Sequence, residues 1–518
     1  MKELALSIDC GTQSLRAILF DEKGNLVDME RVKFNPPYFS KYPGWAEQDP
    51  ELYWKSMIKA IRKLEDRNKK RFSKIIGVTV TTQRDTVVLV DENGKPVRPA
   101  ILWVDQRKAL KKNPLNFFEN IGFVVINKKN TAIRAYRRSR PNWIKENEKD
   151  IWKKTHKFLL LSGYFLYKLT GQFIDSKASQ IGHIPFDYKN QNWTKSKRHW
   201  RWRIFGVEVE KLPKLVGSCE KVGIISEKVA EETGIPKGIP IITSGSDKGC
   251  ETIGVGCFNT DSASLSFGTT ATVQTTSKRY FEVIPFIPPY PAVVPGYYNP
   301  EIEIFRGYWL ISWFLKEFGI TEMEKARKLG VSPEVLLEPL LNSVPPGSQG
   351  LVLHPMWTPG IDMPNAKGAI IGFGDVHTRA HVYRAIVEGI NYALRDGLER
   401  IEKRGKVKVK KLMVSGGGSQ SEKICQITAN MFNLPVLKTQ THETAGLGAA
   451  ICVFTGIGYY NSIFEAVKNM VTYSKTYEPQ KDEVEIYEEL YNKVYKKIYK
   501  SLKRINIEIK KITKYPDD

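Results

Sequence analysis

The sequence predicts a mixed α/β chain built from two related halves. Two observations support this: strand-like apolar runs alternate with segments of helical spacing, and a strand, a tight polar turn and a second strand recur near the start of each half. The 518 residues also exceed the length at which one hydrophobic core stops growing. We therefore expect one domain at residues 1–240 and a second at residues 241–518.

The first half is predicted to begin with a three-stranded meander, followed by a helix and two more strands. These elements are predicted, in chain order, at residues 4–8, 15–20, 26–34, 50–65, 75–82 and 87–90. The helix is indicated by apolar side chains three or four positions apart, and the strands by short apolar runs bounded by polar turns.

The second half repeats the opening pattern and then becomes more helical. A strand is predicted from about residue 239, and a hairpin, a helix, a strand and a helix follow at 263–276, 377–404, 410–415 and 422–432. Residues 483–512 form a basic segment of helical pattern. We expect it to pack an apolar stripe on the body of the protein rather than to bind a membrane.

The composition is that of a globular protein. With 42% hydrophobic and 26% charged residues, the chain is too apolar for wholesale disorder. Its net charge of +23 comes from lysines and arginines scattered over the whole length, and no nucleic-acid-binding motif accompanies them. We expect a solvated basic surface whose field attracts anionic substrates such as nucleotides, and no nucleic-acid partner.

Cysteine spacing and hydropathy argue against several further classes of protein. The six cysteines show no CxxC pair and no His/Cys cluster at metal-ligand spacing, which argues against a disulfide framework and a zinc site. The N-terminal apolar run is too short for a signal sequence, and no stretch of about eighteen apolar residues occurs. The sequence therefore predicts a cytoplasmic protein without a membrane partner.

Three polar, glycine-containing turns follow apolar strands. They lie at residues 9–14, 267–270 and 415–419. Because glycine lets the backbone approach a ligand and clustered N–H groups attract anions, each turn could bind phosphate. Each is also an ordinary hairpin corner when taken alone, so only their recurrence favours phosphate binding.

Two aspartates occupy parallel places in the two halves. Asp9 and Asp247 each follow a buried strand, where a carboxylate can simply cap a turn. If the halves face each other across a cleft, one could hold Mg²⁺ on a nucleotide while the other accepts a proton from an attacking hydroxyl. Phosphoryl transfer requires both a bound metal ion and a group that accepts the proton.

The chain resembles the FGGY family of carbohydrate kinases, within the superfamily of sugar kinases, actin and Hsp70 ATPases. The resemblance runs nearly end to end and is carried by residues 9–21, 44–54, 81–107, 244–256, 266–270, 368–389 and 414–450. It implies two related actin-like, ribonuclease H-like ATPase domains with a cleft between them. It also implies transfer of the γ-phosphate of ATP, with Mg²⁺, to a small sugar or polyol, in a homo-oligomer such as a dimer or tetramer.

The resemblance also assigns roles residue by residue. Asp247 is expected to be the catalytic base and to lie beside the metal, together with Asp9. Residues expected to bind ATP are Gly11, Thr12, Gln13, Ser14 and Arg16 in the first phosphate hairpin, Gly268 and Thr269 in the second, and Gly416, Gly417 and Ser421 in the adenosine pocket. Residues expected to contact the substrate are Arg84, Asp85, Trp103, Asp247 and Lys248.

Several positions leave the substrate open. Arg84 and Asp85 resemble the pair that binds polyol hydroxyls in glycerol kinases, although the two could also form only a structural ion pair. Lys248 follows Asp247 where glycerol kinases place glutamine, and it could either contact an oxygen-rich substrate or point into solvent. Arg140 occupies the position of a lysine in the family's first signature, and it ends a run, residues 134–140, that is more basic than usual for the family.

Three functions are compatible with these residues. A kinase of glycerol or a related polyol competes with a kinase of a ketose such as xylulose, ribulose or fuculose. A nucleotide-gated interaction protein of the actin or Hsp70 kind shares the ATP-binding core. The kinase-like segments around Trp45, Arg84 and Trp103 favour an enzyme over that third function.

Overall fold

The computed structural model describes residues 3–111, 114–360 and 362–515. The strands are β1 Leu4–Cys10, β2 Ser14–Asp21, β3 Leu26–Lys33, β4 Glu47–Gln48, β5 Ile75–Thr82, β6 Val87–Val90, β7 Ala100–Ile101, β8 Lys157–Leu160, β9 Ile174–Ser176, β10 Phe186–Asp187, β11 Asn192–Trp193, β12 Lys214–Val216, β13 Lys221–Ile224, β14 Pro240–Ile242, β15 Ser262–Phe267, β16 Ala271–Gln274, β17 Tyr290–Pro291, β18 Tyr298–Asn299, β19 Glu301–Ile304, β20 Val352–His354, β21 Ala369–Ile371, β22 Lys411–Ser415, β23 Val436–Thr439 and β24 Tyr473–Tyr477.

The α-helices alternate with these strands. They are α1 Pro50–Phe72, α2 Phe117–Val125, α3 Lys129–Arg138, α4 Arg140–Asn147, α5 Lys149–Lys154, α6 Leu161–Thr170, α7 Trp200–Phe205, α8 Glu227–Thr233, α9 Asp247–Gly254, α10 Trp309–Phe318, α11 Ile320–Leu329, α12 Glu338–Asn342, α13 Arg379–Gly405, α14 Glu422–Phe432, α15 Thr444–Gly456, α16 Ile463–Met470, α17 Lys481–Leu490 and α18 Lys496–Thr513. The predicted mixture of strands and helices is therefore confirmed.

The chain divides into two units, each assembled from three segments. Unit 1 comprises residues 1–254, 290–298 and 445–471, and unit 2 comprises residues 255–289, 299–444 and 472–518. The division differs from the predicted one at residue 240, because α9 packs with β5 of the first sheet and so brings Asp247 into unit 1. The two later segments of unit 1 carry no boundary signal in the sequence.

Unit 1 is organised around a six-stranded sheet of order β13-β14-β5-β1-β2-β3. The predicted meander is present, since β1 pairs antiparallel with β2 and β2 with β3. On its other side β1 pairs parallel with β5, and β5 pairs parallel with β14. Every residue of β1 is buried, as expected for a central strand covered on both faces.

The helix α1 extends beyond its predicted end at residue 65. Its apolar face, which includes the buried Trp54, Met57 and Ile61, packs in the unit 1 core. The last turns follow a kink at Asn68, whose side-chain amide donates to the Leu64 carbonyl at 2.9 Å. Polar contacts with the neighbouring strand β3 therefore continue the helix where the apolar pattern has ended, and Arg67 contributes an ion pair with Glu30 at 2.7 Å.

Unit 2 contains a second six-stranded sheet, of order β19-β16-β15-β22-β23-β24. The predicted hairpin is β15 with β16, and β15 pairs parallel with β22. The long helix α13 is buried along most of its length and packs on β16, β19 and β20. The two sheets share the pattern of an antiparallel hairpin beside a parallel strand, which confirms the predicted relation between the halves.

The C-terminal helices pack on unit 2 through aromatic rings. A single π-helical segment at Tyr491–Tyr495 joins α17 to α18. The Tyr491 ring stacks on the Tyr392 ring with centroids 5.9 Å apart, and Ile498 in the first turn of α18 is buried in the core. The predicted packing of the apolar stripe therefore holds for this part of the segment.

The six cysteines form no disulfide, in agreement with their spacing. Across residues 3–111, 114–360 and 362–515, no helix is both long enough and apolar enough to span a bilayer.

Candidate functional site

The candidate site residues of unit 1 lie at the carboxyl ends of three adjacent parallel strands. In the sheet order, β14 neighbours β5 and β5 neighbours β1. Asp9 near the end of β1 is paired with Thr81 of β5, and Thr82 forms a bridge with Ser246 beyond β14. Because parallel strands end at one edge of a sheet, this register brings Asp9, Arg84 and Asp247 to the same edge.

Asp247 is the first residue of α9. Its Oδ1 accepts a hydrogen bond from the Lys248 amide at 2.7 Å, which fixes the carboxylate. Burial raises the pKa of Asp247, while the positive charges of Arg84 and Lys248 oppose that rise. Asp247 and Asp9 also both raise the pKa of the buried Cys10 thiol, after burial itself, so the two carboxylates act on one small region.

Lys248 is directed at a neighbour on its own helix. Its Nζ donates to Glu251 Oε2 at 2.7 Å, an i,i+3 ion pair with both side chains largely buried. Burial lowers the pKa of Lys248, but Glu251 and Asp247 outweigh it and leave the pKa above its usual value. The Lys248 side chain is therefore paired with Glu251 and does not simply point into solvent.

Arg84 follows the end of β5 and contacts residues from two other segments. Its Nε donates to Ser246 Oγ at 3.4 Å, and its guanidinium carbon lies 4.8 Å from the centre of the Tyr290 ring. Tyr290 belongs to the short segment 290–298 of unit 1, and nothing in the sequence marked it as a neighbour of Arg84.

Asp85 is held by two partners that the sequence did not pair with it. Its Oδ2 lies 3.1 Å from His183 Nδ1 and 3.6 Å from Arg140 Nη2. Burial alone would raise the pKa of Asp85, but Arg140 and His183 outweigh it and keep the pKa below its usual value. The residue adopts φ +50°, and a Cβ at Gly182 would lie 2.3 Å from its Oδ1, so the carboxylate has one tightly enclosed position.

The hairpin at residues 10–14, predicted to bind phosphate, is tied to the same strand ends. Thr12 Oγ1 donates to Gln83 Oε1 at 2.7 Å and accepts from Trp103 Nε1 at 2.9 Å. The Gly11 amide donates to the Ser14 carbonyl at 3.1 Å, which closes the turn. Trp103 remains 38% exposed, so the ring is available as a wall rather than buried as core.

Two polar residues flank this hairpin on β2. Arg16 Nη1 donates to Asp9 Oδ2 at 2.9 Å, and Asp9 itself is only 5% exposed. Ser14 Oγ accepts from Arg31 Nε at 3.0 Å. Gln13 is exposed, and its carbonyl accepts from the Phe34 amide at 2.9 Å.

Two motifs of unit 2 meet at the ends of β15 and β22, which are parallel neighbours. Gly268 and Thr269 follow β15, and their carbonyls accept from the Tyr308 amide at 3.1 Å and the Trp309 amide at 3.4 Å. Gly416 follows β22 with φ +79°, and a Cβ there would lie 2.9 Å from the Phe267 carbonyl carbon. The two turns therefore touch, and glycine is required at Gly416 on both steric and conformational grounds.

Gly417 and Ser421 differ from Gly416. A Cβ at Gly417 would meet no atom within 4 Å, so this side of the loop is open. Ser421 is the N-cap of α14, and its Oγ accepts from the Ile424 amide at 3.3 Å. The hydroxyl predicted for the adenosine pocket thus also has a structural partner.

These groups fit the expected ligands chemically. Asp9 and Asp247 offer the carboxylate oxygens that Mg²⁺ prefers. The closely approached backbone at Gly416 and the open space at Gly417 suit a nucleotide, since neither presents a side chain to it.

Comparison with known proteins matches both parts of the chain to one family. Residues 4–254 match the FGGY family of carbohydrate kinases, N-terminal domain, and residues 263–456 match its C-terminal domain. A xylulose kinase of Lactococcus lactis is 28% identical over 93% of this chain and 94% of its own length. A glycerol kinase of Thermococcus gammatolerans is 28% identical over 93% of this chain and 95% of its own length.

A solved structure shares the fold. The ligand-bound xylulose kinase from Lactobacillus acidophilus superposes with a TM-score of 0.79 at 21% identity, and the match covers 96% of this chain and 98% of that chain. Three observations point to the same family: the sheet pattern, the glycine turns at strand ends and the matches to both domains. The chain therefore belongs to the FGGY family of carbohydrate kinases.

Proposed function

We propose that this carbohydrate kinase transfers the γ-phosphoryl group of ATP to a hydroxyl of a small sugar, with Asp247 as the general base. The observation that carries the proposal is the place of Asp247 at one sheet edge with Asp9 and Arg84, given by the parallel register of β14, β5 and β1. Strand ends of this kind are where α/β sheets bind ligands.

The environment of Asp247 suits proton transfer. A general base works best when its pKa lies close to the operating pH, and burial raises the pKa of Asp247 toward that range. The Lys248 amide holds Oδ1 in place, so the carboxylate needs no reorientation to accept the proton of the acceptor hydroxyl. Catalysis would then consist largely of positioning, as is usual for phosphoryl transfer.

The nucleotide and the metal are assigned to the remaining predicted residues. On unit 1 these are Gly11, Thr12, Gln13, Ser14 and Arg16, and on unit 2 Gly268, Thr269, Gly416, Gly417 and Ser421. Mg²⁺ would be held by Asp9 and Asp247 and would neutralise charge on the phosphates when bound.

A ketose is the acceptor we favour. Support comes from the match to a xylulose kinase along nearly the whole chain. A polyol is the second candidate, supported by the Arg84 and Asp85 pair and by the match to a glycerol kinase. For either acceptor, Arg84 would donate to a hydroxyl or keto oxygen, Asp85 would accept from a hydroxyl, and Trp103 would wall the pocket.

The test is ADP release from Mg·ATP with a panel of xylulose, ribulose, fuculose, glycerol, erythritol and gluconate, against a blank without acceptor. Turnover on one ketose well above glycerol would support the proposal. Turnover on glycerol alone would select the polyol candidate. A signal no higher than the blank for every acceptor would overturn both.

A further inference from the structure

The last turns of α18 leave three isoleucines exposed to solvent, while Asn506 is buried and Ile507 is half-buried against the protein. Ile505, Ile509 and Ile512 are 55%, 40% and 79% exposed, whereas Asn506 is buried. In a helix that merely packs on the body, the burial would be the other way round. The three isoleucines are called the isoleucine stripe below.

The stripe continues the face that holds the helix in place. With 3.6 residues per turn, Ile498 and Leu502 lie in line with Ile505, Ile509 and Ile512. Ile498 is buried in the unit 2 core, and Leu502 packs against that core. The apolar face of α18 is therefore covered by unit 2 at its N-terminal end and exposed at its C-terminal end.

The end of the helix is nonetheless anchored. Lys367 Nζ donates to the Tyr515 carbonyl at 2.9 Å and lies 5.6 Å from the centre of the Tyr515 ring. Since the chain is held on both sides of the isoleucine stripe, the exposure of the stripe belongs to an ordered helix.

The charge of this helix selects the kind of partner. Residues 496–514 contain eight lysines or arginines and one glutamate. With 3.6 residues per turn, the exposed Lys497, Arg504 and Lys511 lie beside the isoleucine stripe, and the other five basic residues lie on the opposite side. A second copy would bring an equally basic helix against the first, which like-charge repulsion opposes. An anionic partner gains from both the charge and the stripe.

We propose that α18 docks this protein on an anionic lipid bilayer, with the isoleucine stripe at the level of the acyl chains and the flanking Lys497, Arg504 and Lys511 at the headgroups. A bilayer accepts any aliphatic side chain, and the three residues of the stripe are all isoleucine. The association would be peripheral and reversible, and would weaken with salt.

Flotation of the full-length protein with vesicles tests the proposal. We expect binding to vesicles of phosphatidylcholine with phosphatidylglycerol, loss of binding at high salt and none to pure phosphatidylcholine. The double variant Ile509→Gln/Ile512→Gln should bind on the order of tenfold more weakly, because it removes apolar area from the membrane-facing side. The matched control Leu329→Gln/Val335→Gln changes two apolar residues elsewhere on unit 2 that are 65% and 62% exposed, and it should bind like the wild type.

Three results would overturn the proposal. The first is that the wild type does not float with the vesicles, and the second is that the stripe variant floats as well as the wild type. The third is a dimer, seen by light scattering, that the stripe variant abolishes, because a second copy would then occupy the stripe. None of the four residues belongs to the kinase site, so ADP release should be the same in all proteins. A failure of membrane binding is thereby separable from a failure of the kinase proposal.

Discussion

The guanidinium carbon of Arg107 lies 3.8 Å from the centre of the Trp45 ring, and this contact joins two distant segments of the sequence. Arg107 also donates through Nε and Nη2 to the two carboxylate oxygens of Asp105, each at 2.8 Å, and lies 2.8 Å from Glu47. The segments around Trp45 and Asp105 therefore build a buried ion-pair cluster. Trp103, two residues before Asp105, donates to Thr12 of the hairpin between β1 and β2.

Arg107→Lys should destabilise the protein without changing its kinetics. A lysine cannot donate to both Asp105 oxygens or lie flat on the ring, so we expect the free energy of unfolding to fall by about 2 kcal/mol. Denaturant unfolding measures this, with the exposed Arg327→Lys as the control. A variant of native stability with a raised KM for the sugar would instead place Arg107 in the site.

Asp247→Asn should abolish most turnover while preserving the fold. We expect kcat to drop by about two to four orders of magnitude, because asparagine cannot accept the hydroxyl proton. Burial already favours the neutral form of Asp247, so the melting temperature should change little. Binding of ATP without Mg²⁺ should also change little, because the nucleotide itself is assigned to other residues. Asp150→Asn, at an exposed carboxylate, should have native kinetics; near-native turnover in Asp247→Asn would remove that residue from the mechanism.

Arg84→Gln should shift the pH dependence of the rate. Asp247 must be ionised to act as a base, so kcat falls as the pH drops through its pKa. Arg84 lowers that pKa, so its removal should raise it and move the acid limb of the profile to higher pH. Measuring kcat over about pH 4 to 9 checks the shift.

Arg84→Gln also distinguishes the effect of Arg84 on the Asp247 pKa from its effect on sugar binding. KM for the sugar should rise while KM for ATP stays within about twofold, because Arg84 is assigned to the acceptor. An unchanged acid limb would mean that Arg84 does not control the base, whatever its effect on KM.

Gly416→Ala and Gly417→Ala should behave differently. At Gly416 the φ of +79° and the 2.9 Å approach to Phe267 are both incompatible with a Cβ, so we expect a loss of about 1–3 kcal/mol of stability and weaker ATP binding. Gly417 has open space, so its variant should keep native stability and lose ATP affinity only. Nucleotide titration with thermal unfolding measures both; native ATP affinity in Gly417→Ala would remove that residue from the nucleotide site.

Much of the fold could be read from the sequence, because the central strands and the long helices carry strong periodic patterns. The hairpin of β1 and β2, the strand β5, the hairpin of β15 and β16 and the helix α14 all lie within a few residues of their predicted bounds. The region 117–216 was not predicted, since its helices and strands are short and many are held by polar contacts. An example is Asn142, whose amide donates to the Tyr136 and Ile204 carbonyls.

The candidate site was predictable to the extent that its residues follow strands. Asp9 lies near the end of β1 and Arg84 and Asp247 follow β5 and β14, and the parallel register then places them together. His183, Ser246 and Tyr290 were missed, because their contacts with Asp85 and Arg84 depend on how loops return to the sheet edge. For Ser246, its place immediately before Asp247 was a signal that could have been used.

The division of each unit into three chain segments has a consequence for how the protein can form during synthesis. Unit 1 needs α15 and α16, and Gly448 of α15 leaves no room for a side chain against the Cys250 carbonyl oxygen. These helices emerge from the ribosome only after most of unit 2 has been made. A nascent chain ending at residue 254 would therefore expose the apolar surface that α15 later covers, and would depend on chaperones or on fast completion of translation to avoid aggregation.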